Sequence, residues 1–148
     1  SYMVLPQHLL KNYQNFCGFY STTVSKIQQE VLREFIRGGY FGRHLNKMRG
    51  IYKNKHDFLV SELKKRPWVE NIAGDNAGLH VLVQVDTQMS EEELCERAAE
   101  QGIHLMGISE HYIHKPPVSK PVLLLGYGKP DEKKILEGLN RLEQIILK

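Results

Sequence analysis

Tyr40-Phe41-Gly42-Arg43-His44-Leu45-Asn46-Lys47-Met48-Arg49-Gly50-Ile51-Tyr52, running on to Arg66 and stopped by Pro67, is the stretch on which the fold turns. Phe41, Leu45, Met48, Tyr52, Leu59 and Leu63 recur at spacings of four, three, four, seven and four, the period of one helix face. The spacing predicts a long helix over 40–65. Gly50 lies inside it at a cost of ~1 kcal/mol relative to Ala, which close packing of another element would explain. From Arg37 to Arg66 nine Lys or Arg stand against two acids, Asp57 and Glu62, so the helix is basic as well as amphipathic.

Upstream, Val24, Ile27, Val31 and Phe35 mark a second amphipathic helix, with Ser21-Thr22-Thr23 as N-cap candidates and Gly38-Gly39 at its end. Residues 6–22 mix Pro, Gln, Asn, Gly and Ser and read as a helical turn plus loop. Tyr2 to Leu5 reads as a strand fragment entering a turn at Pro6. A domain seldom opens inside a strand, so a truncated chain is the expectation.

Downstream the period changes. Gly74-Asp75-Asn76-Ala77-Gly78 is turn chemistry, and Leu79 to Val85 reads as a largely buried strand. Ser90-Glu91-Glu92-Glu93 is a capping box for a helix reaching about Gln101, with Gly102 after it. Ile103 to Met106 is a short strand, 107–120 a loop, and Val122 to Tyr127 another strand. Asp131 caps a last helix with Ile135, Leu139, Leu142 and Ile146 on one face. The expected fold class is therefore α/β, an α+β sandwich with a small sheet and helices on one face, preceded by a long linking helix.

Composition sets bounds. The 148 residues suit one domain with a real core, 41% are hydrophobic and 25% charged, and the net charge of +3 is too mild to imply nucleic acid by itself. Apolar runs such as Val122 to Leu125 fall far short of the ~20 residues of a membrane span. Cys17 and Cys95 read as free thiols of a reducing compartment, and no signal peptide is visible, so a cytoplasmic location is expected.

Candidate chemistry is sparse. The basic helix could track phosphates, but no stacking aromatics or Gly-rich loop accompany it, and a solvated face or interface is the plainer reading. His111-x-x-His114 lacks a third metal ligand at matching spacing. Ser109-Glu110-His111 is contiguous, whereas triads are defined by geometry. Cys17 and Cys95 carry no hydrolase signature. Gly126-Tyr127-Gly128 lacks the third glycine of a dinucleotide fingerprint and reads as a tight turn. His80, among apolar neighbours, reads as a hydrogen-bonded core imidazole. No catalytic residue and no metal site is expected.

Several strings in order resemble one family. Tyr2-Met3-Val4-Leu5-Pro6, Ser21-Thr22 with Gln28-Gln29 and Phe35-Ile36-x-x-Gly39, Ala77-Gly78-Leu79-His80 and Leu124-Leu125-Gly126-Tyr127 flank the most specific one, Arg43-His44-Leu45-x-Lys47-Met48-Arg49-x-x-Tyr52. Together they resemble the C-terminal part of the fold-type-I aminotransferase-like domain in MocR/GabR-like regulators of the GntR superfamily, with Arg43, His44, Met48, Arg49 and Tyr52 as the family signature.

The resemblance implies a small C-terminal domain of a fold-type-I pyridoxal 5'-phosphate (PLP) aminotransferase. Residues 1–22 would be a remnant of large-domain strand and loop, 23–66 a helical linker, and 67–148 the small α/β domain. It also implies a parent with a DNA-binding domain upstream, a PLP cofactor, an amino-compound effector and a dimer mate, while the fragment alone would be inactive and hold no cofactor. Ser21 and Thr22 would approach the cofactor phosphate. The strand position that usually lends an arginine to a substrate carboxylate holds Leu124, which leaves Lys120 as the nearest cation. An exposed apolar patch is expected around Phe16, Phe19 and Tyr20. Two rivals stay open: a fragment of a true fold-type-I aminotransferase of the 2-aminoadipate or aromatic type, and an independent nucleic-acid-binding module. Whether the parent turns over substrate is left undecided.

Overall fold

The computed structural model describes residues 3–20, 24–74, 78–113 and 120–147. Two compact units divide the chain, Ser1–Leu45 and Asn46–Lys148. Helices α1 (Gln7–Cys17) and α2 (Lys26–Arg37) belong to the first, helix α3 (Tyr40–Leu63) starts in it, and the second holds everything after.

In the first unit, residues 3–6 form no strand, so the expected strand over 2–5 is not seen among the described residues. The polar mix after Pro6 is a full helix, because Leu9, Leu10, Tyr13 and Phe16 keep a helical spacing that its Gln and Asn residues disguise. Helix α2 starts at Ser25, whose hydroxyl accepts from Gln28 N at 3.3 Å; the proposed caps at 21–23 lie outside the described residues. Neither α1 nor α2 contains a buried residue. Leu9, Phe16, Ile27, Val31 and Phe35 are exposed, as are Phe16's neighbours in the expected patch, Phe19 and Tyr20.

The turn from α2 into α3 explains two glycines. Gly39 has φ +71°, a conformation glycine adopts without steric cost. At Gly38 a Cβ would stand 2.6 Å from the Tyr40 ring, so the aromatic seals the turn only over a bare backbone. The Tyr40 ring stacks near Phe35 at 6.2 Å between centroids.

In the second unit four antiparallel strands run in the order β1-β2-β4-β3: β1 Val69–Ala73, β2 His80–Val85, β3 Met106–Gly107 and β4 Val122–Gly126. Helices α4 (Glu91–Glu100) and α5 (Glu132–Ile146) complete it. Val81, Val83 and Val85 of β2 are buried with Leu123 of β4, Leu94 and Ala98 of α4, and Ile135, Leu139 and Leu142 of α5. The end of α3 joins this core through Leu59, Val60 and Leu63, and Trp68 is its largest fully buried side chain.

Strand alternation then corrects the reading of His80. With Val81, Val83 and Val85 facing the helices, His80 belongs to the other face and is exposed. That other face carries an apolar row, since Leu82 pairs with both Ala73 and Leu124, and Leu124 with Met106. Strand β1 is an addition to the expected elements. Val-Glu-Asn-Ile-Ala carries too little hydrophobic signal alone and is a strand because β2 offers it an edge.

Candidate functional site: the signature helix and the end of strand β4

The signature residues divide between the two units. In the first, Arg43 serves the α2–α3 turn: its guanidinium lies 4.6 Å above the Tyr40 ring and donates to Gly38 O at 3.3 Å. His44, also of the first unit, is exposed; in the second, Arg49 is exposed and Met48 half-buried. In the second unit, Tyr52 is half-buried against the core, one and two turns ahead of the residues that join α3 to the sheet.

Those joints lie around the turn after β4. Lys55 Nζ donates to Gly128 O at 3.0 Å, and the His56 ring meets the Tyr127 ring edge-on at 5.6 Å. Tyr127 is buried, its hydroxyl donates to Gly78 O at 2.7 Å, and its amide donates to Leu79 O at 3.0 Å. Gly126-Tyr127-Gly128 is thus a structural corner that pins the start of β2 to α3, in keeping with the tight-turn reading. A Cβ at Gly126 would approach His80 Cδ2 at 3.1 Å, so the histidine leans across a strand end that only glycine leaves open.

The corner frames an open depression of about 500 Å³ lined by Tyr52, His80, Lys129, Leu79, Gly126, Gly128 and Pro130. A phenol, an imidazole and an ammonium group converge on it. Such a set can hold a polar or anionic group, and His80 is the member that its reading as a core imidazole concealed.

Lys120 is elsewhere, at the opposite end of β4. Its Nζ donates to Glu70 and Asp86, each at 2.8 Å, and these carboxylates hold its pKa above the usual lysine value, Asp86 contributing most. Ser21 and Thr22 lie outside the described residues. Leu124 is half-buried in the apolar row of the sheet, and among the described residues no strand carries an arginine.

A second cleft, about 310 Å³, lies between α4 and the 3₁₀ turn Ile108–His111, lined by Glu91, Glu92, Cys95, Glu96 and Glu110. Burial, then the nearby Glu91 and Glu110, push the Cys95 thiol up, the reverse of an activated nucleophile. Ser109, Glu110 and His111 do not form a relay. Ser109 N donates to Glu91, and His111 Nε2 contacts Met106 Sδ at 3.1 Å. His114 lies outside the described residues. Among the described residues no three metal-binding side chains cluster, and no helix is long and apolar enough to cross a membrane.

The arrangement of a long helix running into a small antiparallel sheet backed by two helices is accompanied by a family match: the chain belongs to the aminotransferase class I and II family, whose model matches residues 2–121. Its curated relatives include proteins named as regulators. The HTH-type transcriptional regulators YdeL and YhdI of Bacillus subtilis are 37% and 34% identical to it, each over 97% of this chain, and cover 31% and 30% of their own lengths. A rhizopine catabolism regulatory protein of Rhizobium meliloti, MocR, is 27% identical over 99% of this chain and 29% of its own. Among solved structures, kynurenine aminotransferase of Pyrococcus horikoshii matches with a TM-score of 0.66 at 25% identity, over 77% of this chain and 28% of that one. A multiple substrate aminotransferase of Thermococcus profundus matches with a TM-score of 0.68 at 23% identity, over the same shares. The chain spans about a third of the length of the curated relatives it matches.

The family's cofactor is PLP. Neither the acidic cleft nor the Tyr52–His80–Lys129 depression combines a lysine amine with a carboxylate for the pyridine nitrogen and a cluster of phosphate donors. The acidic cleft would repel the phosphate, and the Tyr52–His80–Lys129 depression offers no carboxylate. Neither of these two hollows therefore is a complete cradle for it.

Proposed function

We propose that this chain is part of the aminotransferase-like effector domain of a DNA-binding transcriptional regulator. The observation that carries the reading is the pair of regulator relatives, each matching 97% of the chain. The parent holds PLP chiefly with residues outside this chain, binds DNA through another domain, dimerises in the cytoplasm and responds to an amino compound. The uncovered stripes of α1 and α2 support this, because helices with exposed Leu, Ile and Phe rows and nothing buried are built to be covered.

In this reading Ser21 and Thr22 approach the cofactor phosphate. Lys120 offers a ligand carboxylate a point charge, for which it must exchange Glu70 and Asp86. The Tyr52–His80–Lys129 depression is the better-placed polar group on this chain for ligand contact, since its ammonium is not shared between two carboxylates.

The test is to incubate the 148-residue chain with PLP, reduce with borohydride and map the modified lysines by mass spectrometry. Scattered, substoichiometric labelling is expected. One stoichiometric pyridoxyl-lysine would show that the chain holds the cofactor itself and would overturn the division of labour proposed here.

A further inference from the structure

A third cavity, of about 210 Å³, lies between α5, the segment before β3 and the end of β4. Its floor is apolar, made by Leu59, Leu105, Leu139 and Leu142 among others, and two basic side chains, Lys134 and His104, stand in its lining. Among the described residues neither side chain has a hydrogen-bond or ion-pair partner. On the same helix Asp131 accepts from Lys134 N at 2.8 Å, Glu137 pairs with Arg141 and Glu143 with Arg66, while Glu132 in the first turn has no such partner among the described residues. An ammonium and an imidazole beside an otherwise apolar hollow are complementary to a ligand with one anionic end and one apolar end.

Gly138 is the second observation. It sits in the middle of α5 and lines this cavity, yet a Cβ there would meet nothing within 4 Å. No close approach demands glycine at that position. Its measurable consequence is volume: any larger side chain would grow into the hollow.

We infer that this cavity binds a short aliphatic monocarboxylate, its chain on the leucine floor and its carboxylate at Lys134 and His104. At about 210 Å³ the hollow is of a size for a short aliphatic chain rather than a drug-sized ligand. The inference does not depend on the cofactor or on the regulator reading.

The test is a titration of the isotope-labelled 148-residue chain with hexanoate, hexanol and hexylamine, followed by amide chemical shifts. Hexanoate should saturate with a dissociation constant on the order of 1 mM, moving Leu105, Gly126 and Gly138. Hexanol should bind more weakly and hexylamine not at all. The double variant Lys134→Gln/His104→Gln should weaken hexanoate about tenfold and leave hexanol unchanged. Gly138→Leu should abolish both, and Gly138→Ala, which is easily accommodated, should weaken both in a chain whose spectrum shows it folded. Equal binding of hexanoate and hexanol, an unchanged affinity in the double variant, or shifts confined to the exposed faces of α1 and α2 would overturn the proposal.

Discussion

The carboxylate of Glu91 occupies the space that a side chain on residue 107 would need. A Cβ at Gly107 would stand 2.6 Å from Glu91 Cγ and closer still to the carboxyl group. From that position Glu91 Oε1 accepts from Ser109 N at 2.9 Å and Oε2 from Val122 N at 3.2 Å. One side chain in the first turn of α4 thus ties together the helix, the 3₁₀ turn and the start of β4. Gly107→Ala should displace it and cost on the order of 2 kcal/mol in urea unfolding, as should Glu91→Ala. The double variant should cost little more than either alone, because both remove the same bonds. Additive losses would show that Gly107 matters for another reason.

Lys120 between Glu70 and Asp86 gives a pH signature. Its pKa is raised in the folded chain, so its contribution is fully present below the ordinary lysine value and is lost as pH rises through the folded value. The difference in urea midpoint between wild type and Lys120→Met should be small at neutral pH, as exposed pairs are weak, and should close above the lysine range. A gap that stays constant into strong alkali would mean that Lys120 acts by packing its stem. Added salt should shrink the neutral-pH gap as well.

How far the residues alone reveal this molecule depends on whether the signal is local. Ser90 and Asp131 are N-caps as their sequence context implies, with side chains accepting from Glu93 N and Lys134 N. The stripe of α5 is its buried face, and α3 runs to Leu63 as its period demands. Strand β1 and the exposure of His80 follow from pairing with β2, which adjacent residues do not encode. The Glu91 bonds and the Lys120 pairs span 18 to 50 positions, so spacing rules could not reach them. Helix α1 was concealed differently, by amide side chains that favour turns overlying a helical row of Leu, Tyr and Phe.

Trp68 is the only tryptophan, buried at the heart of the second unit, whereas α1 and α2 bury nothing. Its fluorescence should therefore report the second unit alone. Helical circular dichroism should begin to fall at lower urea than the tryptophan transition, because the first unit has no core of its own to hold it. Coincident transitions by both probes would indicate one cooperative unit. Trp68→Ala should cost 3–5 kcal/mol by the usual scale for a fully buried large aromatic, measured by circular dichroism.

The regulator reading is tested most directly by comparing DNA binding of the full-length protein that contains this chain with that of the 148-residue chain itself. The measurement is a titration of duplex DNA from the protein's own promoter at two salt concentrations, with and without PLP and an amino compound. The account predicts salt-sensitive binding by the full-length protein that shifts when PLP and the effector are added, and none by the isolated chain. A full-length protein that transaminates freely and ignores DNA, or an isolated chain that binds DNA as tightly as its parent, would contradict it.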